Sequence, residues 1–192
     1  MLDKKFVESL RKNYIEKNSQ RRQIISSSSI ILNNSKKAIF ATHRQDIKLA
    51  EERLKESEDI IKKIEKKFGL NRLREEGSFS ASIEEYVEAK LFLSFVKTKK
   101  ITKIKETKIS EEAYIGGICD FTGELIRLTT NEAINKNFAE IKKVKNIINE
   151  ILNELVDFDI VGHLRTKYDQ ARGNLKKIEQ MDYEISLKNY NK

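Results

Sequence analysis

The sequence predicts an all-α protein, six or seven mostly antiparallel helices in a single domain over residues 1–192, on three observations. Proline is absent and glycine occurs only seven times, which removes the residues that build tight turns and hairpins. Apolar side chains recur at three- and four-residue steps in nearly every segment, the spacing of one helix face, with no alternating strand pattern and no internal repeat. A length of 192 residues is enough to bury one substantial core.

The elements follow in order. Residues 3–17 carry Phe6, Leu10 and Tyr14 along one side. From about 20 to 44, Ile24, Ile31 and Ala38 recur beside Ile25, Leu32 and Ile39, and the serine run Ser26 to Ser29 between them reads as a polar helix face. The pattern is clearest over 45–68, through Ile47, Ala50, Leu54, Ser57, Ile61, Ile64 and Phe68; Gly69 then caps it behind a lysine-rich last turn. Residues 70–82 read as a polar connection ending at Ser82, an N-cap for a helix of about 83–98. A lysine-rich connection, about 99–109, leads to Ser110, with Glu111 and Glu112 in the first turn of a helix reaching about 132. The last two helices span about 134–157, with Ile134, Phe138, Ile141, Ile148, Ile151 and Leu155, and about 162–187, with Leu164, Tyr168, Ala171, Leu175, Ile178 and Ile185.

The net charge of +8 suits a polyanionic partner, because lysines and arginines that neutralise phosphates release counterions. Solvated lysine-rich helix faces give the same charge, so it permits nucleic acid without establishing it. Cys119 stands alone, which excludes an intrachain disulfide and fits a reducing compartment. With no signal peptide and no apolar run of about 18 residues, the expectation is a cytoplasmic protein without a membrane partner.

Two groups of acids interrupt otherwise apolar seams. In EEYVEAKLF, Glu85 and Glu88 are three apart on a stripe that continues as Phe92 and Phe95. In ICDFTGELIRL, Asp120 and Glu124 are four apart, flanked by Gly116, Gly117 and Gly123 and followed by Arg127. Burying an uncompensated carboxylate is costly or forces its protonation, so a cation is expected nearby. Mid-helix glycines cost roughly 1 kcal/mol each relative to alanine, and a cluster of them implies that another backbone or a ligand approaches closely. Two carboxylate pairs on two helices suit a hard divalent cation, Mg²⁺ or Mn²⁺. The scarcity of histidine, His43 and His163 alone, argues against zinc hydrolases and di-iron bundles. Each acid also has a structural explanation: Ser82 and Glu85 match a capping box, Glu88 could pair with a surface lysine, and Asp120 and Glu124 could pair with Arg127. The residues alone leave both readings open.

EEYVEAKLF followed by DFTGELIRL resembles the Trax branch of the translin superfamily. SKKAIFATHR (Ser35 to Arg44) and KYDQARGNLKKIEQMDYEISL (Lys167 to Leu187) are similar to that superfamily's upstream and closing segments, in the same order. The chain departs from the pattern at the connection near 99–109, much shorter than in the longer eukaryotic Trax chains, and at Phe121, where leucine is usual. The resemblance implies a seven-helix translin-like domain that assembles into a hollow, octamer-like shell, alone or with a translin paralogue. It further implies a Mg²⁺-dependent endoribonuclease acting preferentially on single-stranded RNA, with Glu85, Glu88, Asp120 and Glu124 matching the metal-holding, catalytic acids. Lys36, Lys37 and Arg44, from the matched upstream string, and Arg127, near the acids, are the expected phosphate contacts. No aromatic platform is organised for reading bases. Two other functions fit part of the pattern: a nucleotide pyrophosphohydrolase of the MazG type, though its second acidic pair is spaced differently, and a non-catalytic nucleic-acid-binding scaffold like translin.

Overall fold

A computed structural model describes residues 2–134 and 138–190, and every regular element within them is an α-helix. Helix α1 (Lys4–His43) merges the first two predicted segments into 40 residues, about 60 Å at 1.5 Å per residue, with the serine run inside it. Its N-cap, Asp3, accepts from the backbone N–H groups of Lys5 and Phe6. Helix α2 (Ile47–Phe68) is capped by Asp46 and ends at Gly69, whose φ of +78° is one that L side chains resist. A short α3 (Leu70–Arg74) occupies the predicted connection.

Helix α4 (Gly77–Thr98) begins about six residues before the expected start. The extra turns bury Phe79, which a loop would have left against solvent. Ser82 is therefore internal: its buried hydroxyl donates to the Phe79 carbonyl. The capping box with Glu85 is overturned, and Glu85 has no capping role to explain it. Helix α5 (Glu111–Ile134) starts as read, with Ser110 Oγ accepting from the Ala113 N–H. Helix α6 (Phe138–Val156) starts after residue 134, and the side chain of Ile134, expected to belong to it, lies outside the described residues. Helix α7 (Gly162–Tyr190) closes the chain.

The buried apolar side chains form one cluster. Helix α1 packs on α2 and α4, α4 on α5, and α5 on α6 and α7, so α4 and α5 are the central pair. Tyr86, Phe92 and Phe95 from α4 and Phe121 and Leu125 from α5 are fully buried, and Phe95 meets Phe121 edge-on across the pair with centroids 5.9 Å apart. The connection over 99–110 is tied down rather than loose. Lys90 bridges the buried Glu58 at 2.9 Å and Glu106 at 2.8 Å, Tyr86 donates to Glu58, and the Ile104 N–H donates to Tyr114 Oη.

Two of the α5 glycines set the central packing. A Cβ at Gly117 would lie 2.5 Å from Val87 Cγ1 and 2.9 Å from the Glu84 carbonyl, and one at Gly116 would lie 2.9 Å from the Glu84 carboxyl carbon. The close approach inferred from the glycine cluster is thus the approach of α4. Gly117→Ala is expected to lower stability by roughly 1–3 kcal/mol, the usual cost of overpacking. Gly173→Ala on α7, with open space around it, should instead gain up to about 1 kcal/mol from helix propensity. Urea denaturation of the two variants checks the contrast; equal effects would show that α4 and α5 are not in this contact.

The first stripe of α1 is uncovered. Phe6, Leu10 and Tyr14 remain 60%, 57% and 68% exposed, and Ile24 is the first buried residue of α1. The helical stripe is real, but among the described residues no other helix buries the first turns of α1, which overhang the bundle.

Candidate metal and nucleic-acid site

Three of the four predicted acids, Glu88, Asp120 and Glu124, line one groove beside the central pair of helices, and Glu85 is near enough to feel the charges of Asp120 and Glu124. Glu85 and Glu88 belong to α4 and Asp120 and Glu124 to α5; Glu88, Asp120 and Glu124 face α7, while Glu85 lies within reach of the charge of Lys36 on α1. A groove of about 480 Å³ opens there, lined by Glu88, Asp120 and Glu124 and walled by Gln170, Asn174 and Lys177 of α7. Glu88 is only 9% exposed. Burial, and then the charges of Glu85, Asp120 and Glu124, push its carboxyl up to about 9, with Lys167 opposing. Glu85 is raised in the same way: burial dominates, Lys36 and Lys167 oppose, and Asp120 and Glu124 add to it. The four carboxylates therefore share one electrostatic field, with more negative charge than its neighbours balance.

The structure adds four residues that the sequence reading did not assign. Glu84, beside the predicted pair, is buried and reaches toward α7, where His163 Nε2 lies 3.2 Å and Lys167 Nζ 3.5 Å from its carboxylate. The room for this carboxylate is what Gly116 leaves open. Lys167 also donates to Asp120. His43, at the end of α1, donates from Nε2 to Glu124, and its buried ring lies against Phe92 with centroids 4.5 Å apart. Its other ring nitrogen, Nδ1, is buried without a hydrogen-bond partner among the described residues. Signals for these residues existed. His43 lies in the matched upstream string, and His163 and Lys167 are four apart, the spacing that lets both reach one partner.

The predicted basic residues divide. Arg127 lies 3.7 Å from Glu124 and over the Phe40 ring at 4.9 Å, and Lys36 is close enough to act on Glu85. Lys37 and Arg44 are exposed near the end of α1 and form no ion pair among the described residues. Cys119 lines the groove but is buried, which pushes its thiol up to about 12 and leaves it unreactive at neutral pH.

The donor chemistry fits a hard divalent cation: oxygen ligands only, in a buried field of excess negative charge. The arrangement is open, however. Among the described residues, no three His, Cys, Asp or Glu side chains are gathered closely enough to ligate one ion as they stand. Lys167 holds Asp120 toward α7 and Glu84, and His43 holds Glu124 toward α1.

Also among the described residues, no helix is long and apolar enough to cross a membrane. The family model "Translin family" matches residues 19–189. An uncharacterised protein of Methanocaldococcus jannaschii is 33% identical over 172 residues, covering 86% of this chain and 76% of its own. Chicken (Gallus gallus) translin is 26% identical over 120 residues, 59% of this chain, and the match spans about half, 52%, of that translin. Among solved structures, apo-NeC3PO aligns with a TM-score of 0.80 at 23% identity, covering 95% of this chain and 97% of that one. AfC3PO in its complex with duplex RNA aligns at 0.81 and 21% identity, covering 97% and 99%. Similarity at that identity carries the fold, whereas the family model spans nearly the whole bundle, including both acid-bearing helices. The chain belongs to the translin family.

Proposed function

We propose that this chain is a Trax-like, metal-dependent endoribonuclease that cleaves RNA, preferentially single-stranded, within an oligomeric shell in the cytoplasm. The observation that carries the reading is Glu88, a buried carboxyl pushed up to about 9 by its burial and by the charges of Glu85, Asp120 and Glu124, an environment that a cation would relieve. Glu85, Glu88, Asp120 and Glu124 would hold Mg²⁺ or Mn²⁺ after side-chain rotation, directly or through water. The ion, when bound, supplies Lewis acidity that makes water nucleophilic near neutral pH and offsets charge on the phosphodiester. His43 keeps Glu124 oriented, as outer partners do for ligating carboxylates. Lys36 and Arg127 offer positive charge to the flanking phosphates, with Lys37 and Arg44 further out on the exposed end of α1.

Labelled single-stranded RNA with Mg²⁺, Mn²⁺ or chelator tests the activity. Because AfC3PO forms a complex with duplex RNA, a duplex substrate belongs beside the single strand. Metal-dependent shortening of the single strand is expected. Binding without any product would leave the second reading, a scaffold without catalysis, which Lys167 and His43 favour by already occupying two of the acids. Hydrolysis of nucleoside triphosphates instead of RNA would favour the pyrophosphohydrolase chemistry. Neutralising Lys36 or Arg127 to glutamine should reduce the slope of log affinity against log salt by about 0.7 each on single strands, measured by fluorescence anisotropy. An unchanged slope removes that residue from the phosphate path.

Assembly is supported by the overhang of α1, whose Phe6, Leu10 and Tyr14 stripe calls for a cover. A second copy or a translin paralogue would bury it. Phe6→Asp together with Leu10→Asp is expected to reduce the mass measured by light scattering without loss of helicity. An assembly of unchanged mass would place the interface elsewhere.

A further inference from the structure

Among the described residues, Lys167 is the one amine in ion-pair contact with the predicted metal-holding acids. Its stem is largely buried, the side chain being 20% exposed, and its Nζ joins Asp120 of α5 to Glu84 of α4. Glu84 is fixed in turn by His163, one turn earlier on α7. The ammonium therefore links the two acid-bearing helices and occupies one oxygen of Asp120, which lines the groove with Glu88 and Glu124. Other lysines of this bundle, such as Lys55 and Lys97, pair with acids at its surface, where such contacts contribute little. Lys167 instead satisfies two acids that are largely buried, where removing one partner strands the other.

Resting on the metal-site reading above, we infer that Lys167 is a displaceable internal counter-ion, paired with Asp120 and Glu84 until a divalent cation takes Asp120. A cation can enter only by breaking a charge-assisted hydrogen bond, so Lys167 lowers the intrinsic affinity of the site and keeps the bundle intact when metal is scarce. Glu84 is the fixed anchor: it retains the ammonium after Asp120 is released and keeps it beside the groove. The arrangement makes α7, which the acid motifs do not include, part of the control of metal loading.

Isothermal titration of the full chain with Mn²⁺ tests this directly, and needs no substrate. Lys167→Met keeps the stem and removes the charge, and should bind Mn²⁺ at least about tenfold more tightly, the equivalent of one charged hydrogen bond no longer broken. A merely structural role would weaken binding instead. Lys167→Arg keeps the charge and should bind no more tightly than the original chain. Equal or weaker binding by Lys167→Met, or tighter binding by Lys167→Arg, overturns the inference. If the original chain and both variants fail to bind Mn²⁺ at all, the metal-site reading fails and this inference with it. Should Lys167→Met prove unfolded by circular dichroism, Lys167→Gln, which also removes the charge, is read by the same criterion.

Discussion

Glu88→Gln is expected to abolish metal-dependent RNA cleavage while leaving helical content and assembly unchanged. Glutamine is the right replacement because burial and three neighbouring carboxylates already hold Glu88 uncharged at neutral pH. An amide of the same shape therefore mimics the resting side chain, and the fold has little to lose. A cation, by contrast, requires the ionised carboxylate. Changing an outer partner of a metal site costs roughly 10–100-fold, so losing a direct ligand should exceed about 100-fold in cleavage rate. Asp120→Asn should be equally inactive but less clean, since it also strips Lys167 of one of its two acidic partners. Single-turnover cleavage of labelled RNA in Mn²⁺, with circular dichroism and light scattering on the same samples, reads all three quantities. Cleavage by Glu88→Gln at the original rate would take Glu88 out of the chemistry.

Much of the fold was legible because helix periodicity is a local signal. The stripe from Ile47 to Phe68, the Gly69 cap and the Ser110 start all depend on residues within a few positions of one another. What misled was context. Ser82 has every local mark of an N-cap, yet Phe79 finds a buried place in the core and draws the helix on past it. Phe6, Leu10 and Tyr14 form a stripe as regular as any in the chain, but periodicity reports a face and not what covers it. The site divides in the same way. Acids in an apolar seam are visible as a conflict between pattern and chemistry, and four were named from that conflict. Their partners were hidden because a lysine and two histidines on distant helices break no local rule. Lys167 of α7 and Glu84 of α4 meet only because both helices pack on α5, where Gly116 leaves room for the Glu84 carboxylate.

The same electrostatic conflict sets how stability depends on pH. Glu88 has an ordinary carboxyl value of 4.5 in the unfolded chain and about 9 in the folded one. Between those values the folded state binds the extra proton, so raising the pH favours unfolding. The contribution of the protonated carboxyl is complete below about pH 4.5 and is lost progressively up to about pH 9. Without metal, the melting temperature of the original chain should fall relative to that of Glu88→Gln across this window, by about 2–4 °C for each kcal/mol lost in a domain of this size. Adding Mn²⁺ should reverse the trend, because the ionised carboxylates that destabilise the bundle at high pH are the ones that bind the ion, and ligation stabilises only the folded state. The melting temperature should therefore rise more with Mn²⁺ at pH 8.5 than at pH 5.5 in the original chain, and hardly at all in Glu88→Gln. Scanning calorimetry on the pair, with and without Mn²⁺ at the two pH values, compares the slopes. Parallel pH profiles for the two chains would mean that Glu88 is not the group under strain, while a Mn²⁺ effect that survives in Glu88→Gln would move the ion away from these carboxylates.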